Sequence, residues 1–166
     1  MGEQYYVRVA GEGIGFSAAH FITFGPGECE QLHGHNYRVA AELCGPLDEH
    51  ACVVDFVALE AVLRKILEAF DHRVLLPTEH PQIRVTAEGD EVEARFADRR
   101  WVFPRGGCLL LPLANTTAEL MARHIGRRLL ESLAEIGCSR PQRVRIVVEE
   151  GQGRAAGYTI EPVAKD

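Results

Sequence analysis

Much of the chemistry this chain could perform is concentrated in nine residues, Cys29-Glu30-Gln31-Leu32-His33-Gly34-His35-Asn36-Tyr37. Side chains alternate along a strand, so His33 and His35 share one face if the segment is extended. A third imidazole, His20, closes a strand-like run upstream. Three nitrogen ligands with one open position are the pattern of a catalytic zinc, whereas a structural zinc is closed by four protein ligands. Such a Zn2+ would act as a Lewis acid on a substrate oxygen. Any one of these histidines alone reads better as a strand residue satisfied by local hydrogen bonds. The three together favour the metal.

Cys29 lies four residues before His33, just after Gly25-Pro26-Gly27. Lone cysteines are usually inert packing, but loop access and a neighbouring cation favour the reactive thiolate. Asp71-His72 follows a helical stretch. A carboxylate-oriented imidazole can relay protons near neutral pH, although such a pair also serves as a cap. Counting back in twos from Glu150 gives Val148, Ile146 and Val144, so Glu150 shares an apolar inward face and needs a partner there. A planar ligand with adjacent N–H donors would supply paired charge-assisted hydrogen bonds. Glu149 faces the other way. Thr116 and Thr117 open a helix, whose free N–H groups can also meet a ligand.

The elements that must position these groups follow from periodicity. Tyr5–Ala10 alternates as a strand. Gly11, Gly13 and Gly15 imply a bulge or close backbone approach before the strand resumes toward His20. His35–Cys44 alternates again, giving an antiparallel pair. Asp55 caps a helix whose buried stripe is Phe56, Leu59, Val62, Leu63, Ile66, Leu67 and Phe70, ending at Asp71-His72-Arg73. Residues 82–103 read as a charged surface excursion: a hairpin around Glu88-Gly89-Asp90 with a third short strand at Arg100–Phe103. Thr116-Thr117-Ala118-Glu119 reads as a capping box for a second helix that runs to Ile136 and is closed by Gly137. Val144–Val148 and Ala156–Val163 are strands joined by Gly151-Gln152-Gly153. The result is a single α+β domain with two helices on one face of an antiparallel sheet.

Composition bounds the function. The 166 residues carry a net charge of -6, which gives no electrostatic support for nucleic-acid binding. No apolar run reaches the roughly 20 residues of a membrane span, and Met1–Val7 lacks a signal pattern. Five cysteines without a CxxC spacing imply a reduced, cytoplasmic protein.

With these residues in place, the chain resembles the 6-pyruvoyltetrahydropterin synthase / 6-carboxytetrahydropterin synthase family. The matching pieces, in family order over nearly the whole chain, are Phe16-Ser17-Ala18-Ala19-His20, Cys29-x-x-x-His33-Gly34-His35-Asn36-Tyr37, Val54-Asp55-Phe56, Phe70-Asp71-His72, Asn115-Thr116-Thr117-Ala118-Glu119-Leu120 and Val148-Glu149-Glu150. The resemblance implies a T-fold, a four-stranded antiparallel sheet with two helices, here with an inserted hairpin. It implies a homo-hexamer of two trimers with active sites at subunit interfaces. It further implies His20, His33 and His35 as zinc ligands and Cys29 as the base. Asp71 and His72 become a relay reaching Cys29 from a neighbouring subunit, Glu150 the pterin anchor, and Thr117 a residue beside the pterin edge. The implied substrate is 7,8-dihydroneopterin triphosphate, and the compact Cys29–His33 spacing resembles the queuosine-type branch, which forms 6-carboxy-5,6,7,8-tetrahydropterin. The alternatives are the 6-pyruvoyl product, or cleavage to 6-hydroxymethyl-7,8-dihydropterin through Glu30, which directly follows Cys29. A pterin-binding module without catalysis is disfavoured because Cys29, Asp71, His72 and Glu150 occur together.

Overall fold

A computed structural model describes residues 3–25, 27–137, 141–151 and 153–162. The expectations for Pro26, Cys138, Gln152 and Val163 lie outside the described residues. The centre of the fold is β5 (His33–Gly45). Two strands lie end to end along one of its edges, β1 (Tyr5–Val9) pairing with residues 41–45 and β2 (Gly15–His20) with residues 33–38. The glycine-rich break between them accounts for the interrupted alternation in the sequence. At its far side the backbones nearly touch: a Cβ on Gly15 would lie 2.1 Å from the carbonyl oxygen of Tyr37. Short strands β3 (Thr23–Phe24) and β4 (Glu28–Cys29) form a ribbon between β2 and β5.

The helix α1 (Phe56–Glu68) is capped by Asp55, whose carboxylate accepts from the Ala58 amide at 2.8 Å. Leu59, Leu63 and Leu67 form its buried stripe, while Phe56, in the first turn, stays 57% exposed rather than joining it. The helix stops at Glu68, so Asp71-His72 sits in the turn that follows, with His72 at a positive φ of 55°. Next come β6 (Arg73–Pro77), β7 (Arg84–Glu88), β8 (Glu91–Phe96), β9 (Arg99–Pro104) and β10 (Cys108–Leu111). Then α2 (Ala118–Glu135) leads into β11 (Arg143–Gly151) and β12 (Arg154–Ile160).

The four expected antiparallel strands are the β1/β2 edge, β5, β11 and β12. The strands β6 and β10 extend the sheet beyond β2 in parallel, giving the order β10-β6-β2-β5-β11-β12. Both are short apolar runs without alternation, because a strand covered on both sides needs none. Adjacent residues of β6 show this: Leu75 lies in the main core and Leu76 in a second one. In the main core, α1 packs on β1 and β2 and α2 on β11 and β12. At Gly126 of α2, an added Cβ would press on Ile146 and Tyr158 at 3.2 and 3.3 Å.

The 82–103 excursion has the expected hairpin and third strand, but its expected place as a surface accessory is corrected. It is a separate three-stranded antiparallel sheet, β7-β8-β9, whose inner face closes the second core. Val92, Ala94 and Phe96 meet Phe21, Cys29, Leu76 and Ile83 there, and Trp101 stacks on Phe21 with ring centroids 4.4 Å apart. Charge on the outer face of these strands concealed the apolar inner one.

Candidate active site

The β2–β5 register pairs His20 directly with His33, and Ala18 with His35. Alternation then sets all three imidazoles, together with Tyr37, on the helix-covered face. One ligand atom from each of His20, His33 and His35 lies within 4.8 Å of the others. Two of the three are oriented from behind. Nδ1 of His20 lies 2.9 Å from the Thr116 carbonyl and Nδ1 of His33 lies 2.8 Å from the Gln31 carbonyl. An Nδ1–H donated to a carbonyl leaves the Nε2 lone pair for the centre, which is how metal-binding histidines are held. The Nε2 atoms of His33 and His35 are 3.0 Å apart. Two lone pairs at that distance repel unless a proton or cation lies between them, and a tetrahedral zinc spaces its nitrogen ligands by about 3.3 Å. The donor set therefore fits the ion. Burial pushes the His20 pKa down to about 4, which keeps that ring neutral.

The hydroxyl of Tyr37, which is buried, lies 3.1 Å from His20 Nε2, the nitrogen that would face the ion. Burial raises its pKa, and the negative charges of Glu150 and Glu30 act in the same direction. Glu150 is thus close enough to act on Tyr37 electrostatically. A β-bulge between Glu149 and Gly151 ends the regular pairing there, a device that re-aims a side chain. Glu149 instead lines a groove on the opposite face with Arg8 and Arg38.

The structure separates the adjacent Cys29 and Glu30. The Cys29 side chain is buried in the second core, where burial pushes the thiol pKa up and Arg99 opposes this more weakly. It is not among the groups that converge on the imidazoles. Glu30 turns the other way. Its Oε2 lies 3.8 Å from His33 Nε2, is buried, and has no hydrogen-bond partner among the described residues.

Asp71 accepts the Ser17 amide at 2.8 Å through Oδ1 and meets His72 Nδ1 at 2.8 Å through Oδ2. The Ser17 amide, then His72, hold its carboxyl below the usual range. His72 is 81% exposed and lines a cleft of about 430 Å³ with Ser17, Ala19, Asn36 and Arg73. Ser17 and Asn36 are out of phase with His20 and His35 along their strands, yet His35 also lines this cleft, at the end of the sheet where β2 and β5 meet the Asp71-His72 turn. The Asp71–His72 pair is formed and shares this cleft with His35, but among the described residues no hydrogen bond joins it to the imidazoles.

Thr117, not Thr116, caps α2, its hydroxyl accepting from the Leu120 amide at 3.4 Å. This corrects the capping-box register. Thr116 is fully buried, with its hydroxyl donated to the Phe21 carbonyl and its own carbonyl serving His20. Sequence reasoning missed this carbonyl, and it missed Arg99, whose Nη1 donates to the carbonyls of Cys29 at 2.8 Å and Glu30 at 3.2 Å. No local pattern marks an arginine about seventy residues away.

The fold and this imidazole cluster define a T-fold protein, and comparison with known proteins makes the class specific. Residues 12–161 match the family described as 6-pyruvoyl tetrahydropterin synthase, and the chain belongs to that family of lyase-type enzymes. It is 29% identical to a protein of Methanocaldococcus jannaschii over 88% of this chain and 90% of that one, and 31% identical to one of Pyrococcus abyssi over 89% and 88%. Both are provisionally named 6-carboxy-5,6,7,8-tetrahydropterin synthase. The crystal structure of Plasmodium vivax 6-pyruvoyl tetrahydropterin synthase superposes with a TM-score of 0.88 at 26% identity, covering 97% of this chain and all of that one. The P. vivax enzyme has also been solved with a catalytic glutamate replaced by alanine or cysteine.

Proposed function

We propose that this chain is a zinc-dependent lyase converting 7,8-dihydroneopterin triphosphate to 6-carboxy-5,6,7,8-tetrahydropterin, acetaldehyde and triphosphate, in the branch that supplies 7-deazapurine (queuosine) precursors. The observation that carries it is the convergence of His20, His33 and His35 on one point. The names of the archaeal relatives support the product. Zn2+ bound there would acidify the side-chain hydroxyls of the substrate. Cys29 serves as the base of the carboxy-forming reaction, Asp71 orients His72 as the relay, and Glu150 anchors the pterin edge, with Thr117 beside it. The exposure of His72, which bonds Asp71 and no imidazole among the described residues, supports a site completed by a neighbouring subunit, in a cytoplasmic hexamer of two trimers. No helix among the described residues is long and apolar enough to cross a membrane.

A second reading is favoured by Glu30. A buried carboxylate oxygen without a partner is costly, and this one stands beside His33. It supports an additional cleavage to 6-hydroxymethyl-7,8-dihydropterin, with Glu30 in place of the thiol. The test is substrate consumption by protein stripped with a chelator and then reloaded with zinc. Activity should vanish and return; zinc-replete protein that leaves the substrate untouched contradicts both readings.

A further inference from the structure

The strand β4 ends at Cys29, and the Glu30 amide continues its ladder by donating to the Ile22 carbonyl at 2.9 Å. Successive side chains of an extended segment point to opposite sides. Cys29 therefore enters the second core while Glu30 faces His33. Rotating this dipeptide would exchange the two groups. One side chain clamps it. Arg99 opens β9, and alternation puts it on the face of Trp101 and Phe103, which pack into the second core. From there its guanidinium bonds both carbonyls of the dipeptide. Both bonds come from one nitrogen, Nη1, which ties the two carbonyls to a single point of the rigid guanidinium plane.

We propose that Arg99 is a positioning residue that sets which of two groups, the Cys29 thiol or the Glu30 carboxylate, is presented at the imidazole cluster, and so sets the product ratio. This rests on the reading that both groups act on the pterin substrate. The β7-β8-β9 excursion thereby becomes a specificity element.

The test uses full-length, zinc-loaded protein with Arg99→Met, Arg99→Lys and, as a control, Arg100→Met, whose parent side chain pairs with Glu93 on the exposed face. Two quantities are read: the ratio of 6-carboxytetrahydropterin to 6-hydroxymethyldihydropterin, and the iodoacetamide alkylation rate of Cys29, located by peptide mass spectrometry. Arg99→Met should raise the alkylation rate by about tenfold, the scale of one lost hydrogen bond to a charged group, and move the ratio toward the carboxy product. Arg99→Lys, which keeps a cationic donor but not the fixed plane of the guanidinium, should fall between, and it serves alone if Arg99→Met does not fold. Arg100→Met should match the parent. An unchanged alkylation rate or an unchanged ratio overturns the proposal. Because alkylation needs no substrate, failure of the clamp remains distinguishable from failure of the assigned reaction, which would show as neither product from the parent protein.

Discussion

Glu30 Oε2 lies 3.8 Å from His33 Nε2, buried and without a hydrogen-bond partner among the described residues. The adjacent Cys29 thiol is held on the other side of the backbone, in an apolar cluster. This relationship separates two reactions that the sequence Cys29-Glu30 alone leaves open. Glu30→Ala should abolish the 6-hydroxymethyl product and retain the carboxy product, and Cys29→Ala should do the reverse, both with zinc still bound. Chromatographic analysis of products from the two variants checks it. Loss of both products in either variant would tie the residues to one shared step.

The metal prediction is independent of substrate. His33→Ala and His35→Ala should each weaken zinc binding well beyond the roughly 10–100-fold typical of losing an outer-shell partner. Metal content after dialysis against a chelator reads this directly. Zinc retention by either variant at the parent's level would mean that the cluster is not the site.

Asp71 gives a pH dependence with a definite sign. Its carboxyl is held below the usual range by the Ser17 amide and then by His72. A depressed carboxylate contributes stability above the unfolded value of about 3.9 and loses it as the pH falls through the folded value. The parent should therefore lose more stability than Asp71→Asn between neutral pH and pH 3. With the Asp71 side chain 43% exposed, solvent screening keeps the difference small. Urea midpoints across that range measure it, and an equal loss in the two proteins would contradict it.

The second core should report through Trp101. Trp101→Ala removes the stack on Phe21, a loss of at least the roughly 0.5–1.5 kcal/mol carried by an aromatic pair beyond its buried area. Thermal unfolding of the variant should shift down, and Cys29 should become more reactive. A variant unchanged in both would return the excursion to a surface accessory.

Gly15→Ala tests the β2–β5 approach. The new methyl would meet the Tyr37 carbonyl at 2.1 Å, so the cost should fall at the top of the range for single substitutions, roughly 4 kcal/mol or more. Near-native stability by urea titration would contradict the register that aligns His20 with His33.

The local half of this design was legible in the sequence. Alternation through His35–Cys44 and the glycine interruption before Phe16 gave the paired strands, and the His-x-His spacing gave the shared face of His33 and His35 beside a strand ending at His20. The Asp55 cap was likewise local. What was not legible depends on distant partners. Leu75 and Leu76 are covered on both faces, so β6 left no alternation to read. The excursion's charged outer face hid the inner face that packs on Cys29. Thr116 and Arg99 reach His20 and the Cys29–Glu30 dipeptide only once the chain has folded.

The most direct test of the central claim is identification of what the zinc-loaded protein makes from 7,8-dihydroneopterin triphosphate. The expected products are 6-carboxy-5,6,7,8-tetrahydropterin, acetaldehyde and triphosphate, accompanied by a fraction of 6-hydroxymethyl-7,8-dihydropterin that depends on Glu30. Tight pterin binding with no product from zinc-replete protein would contradict it.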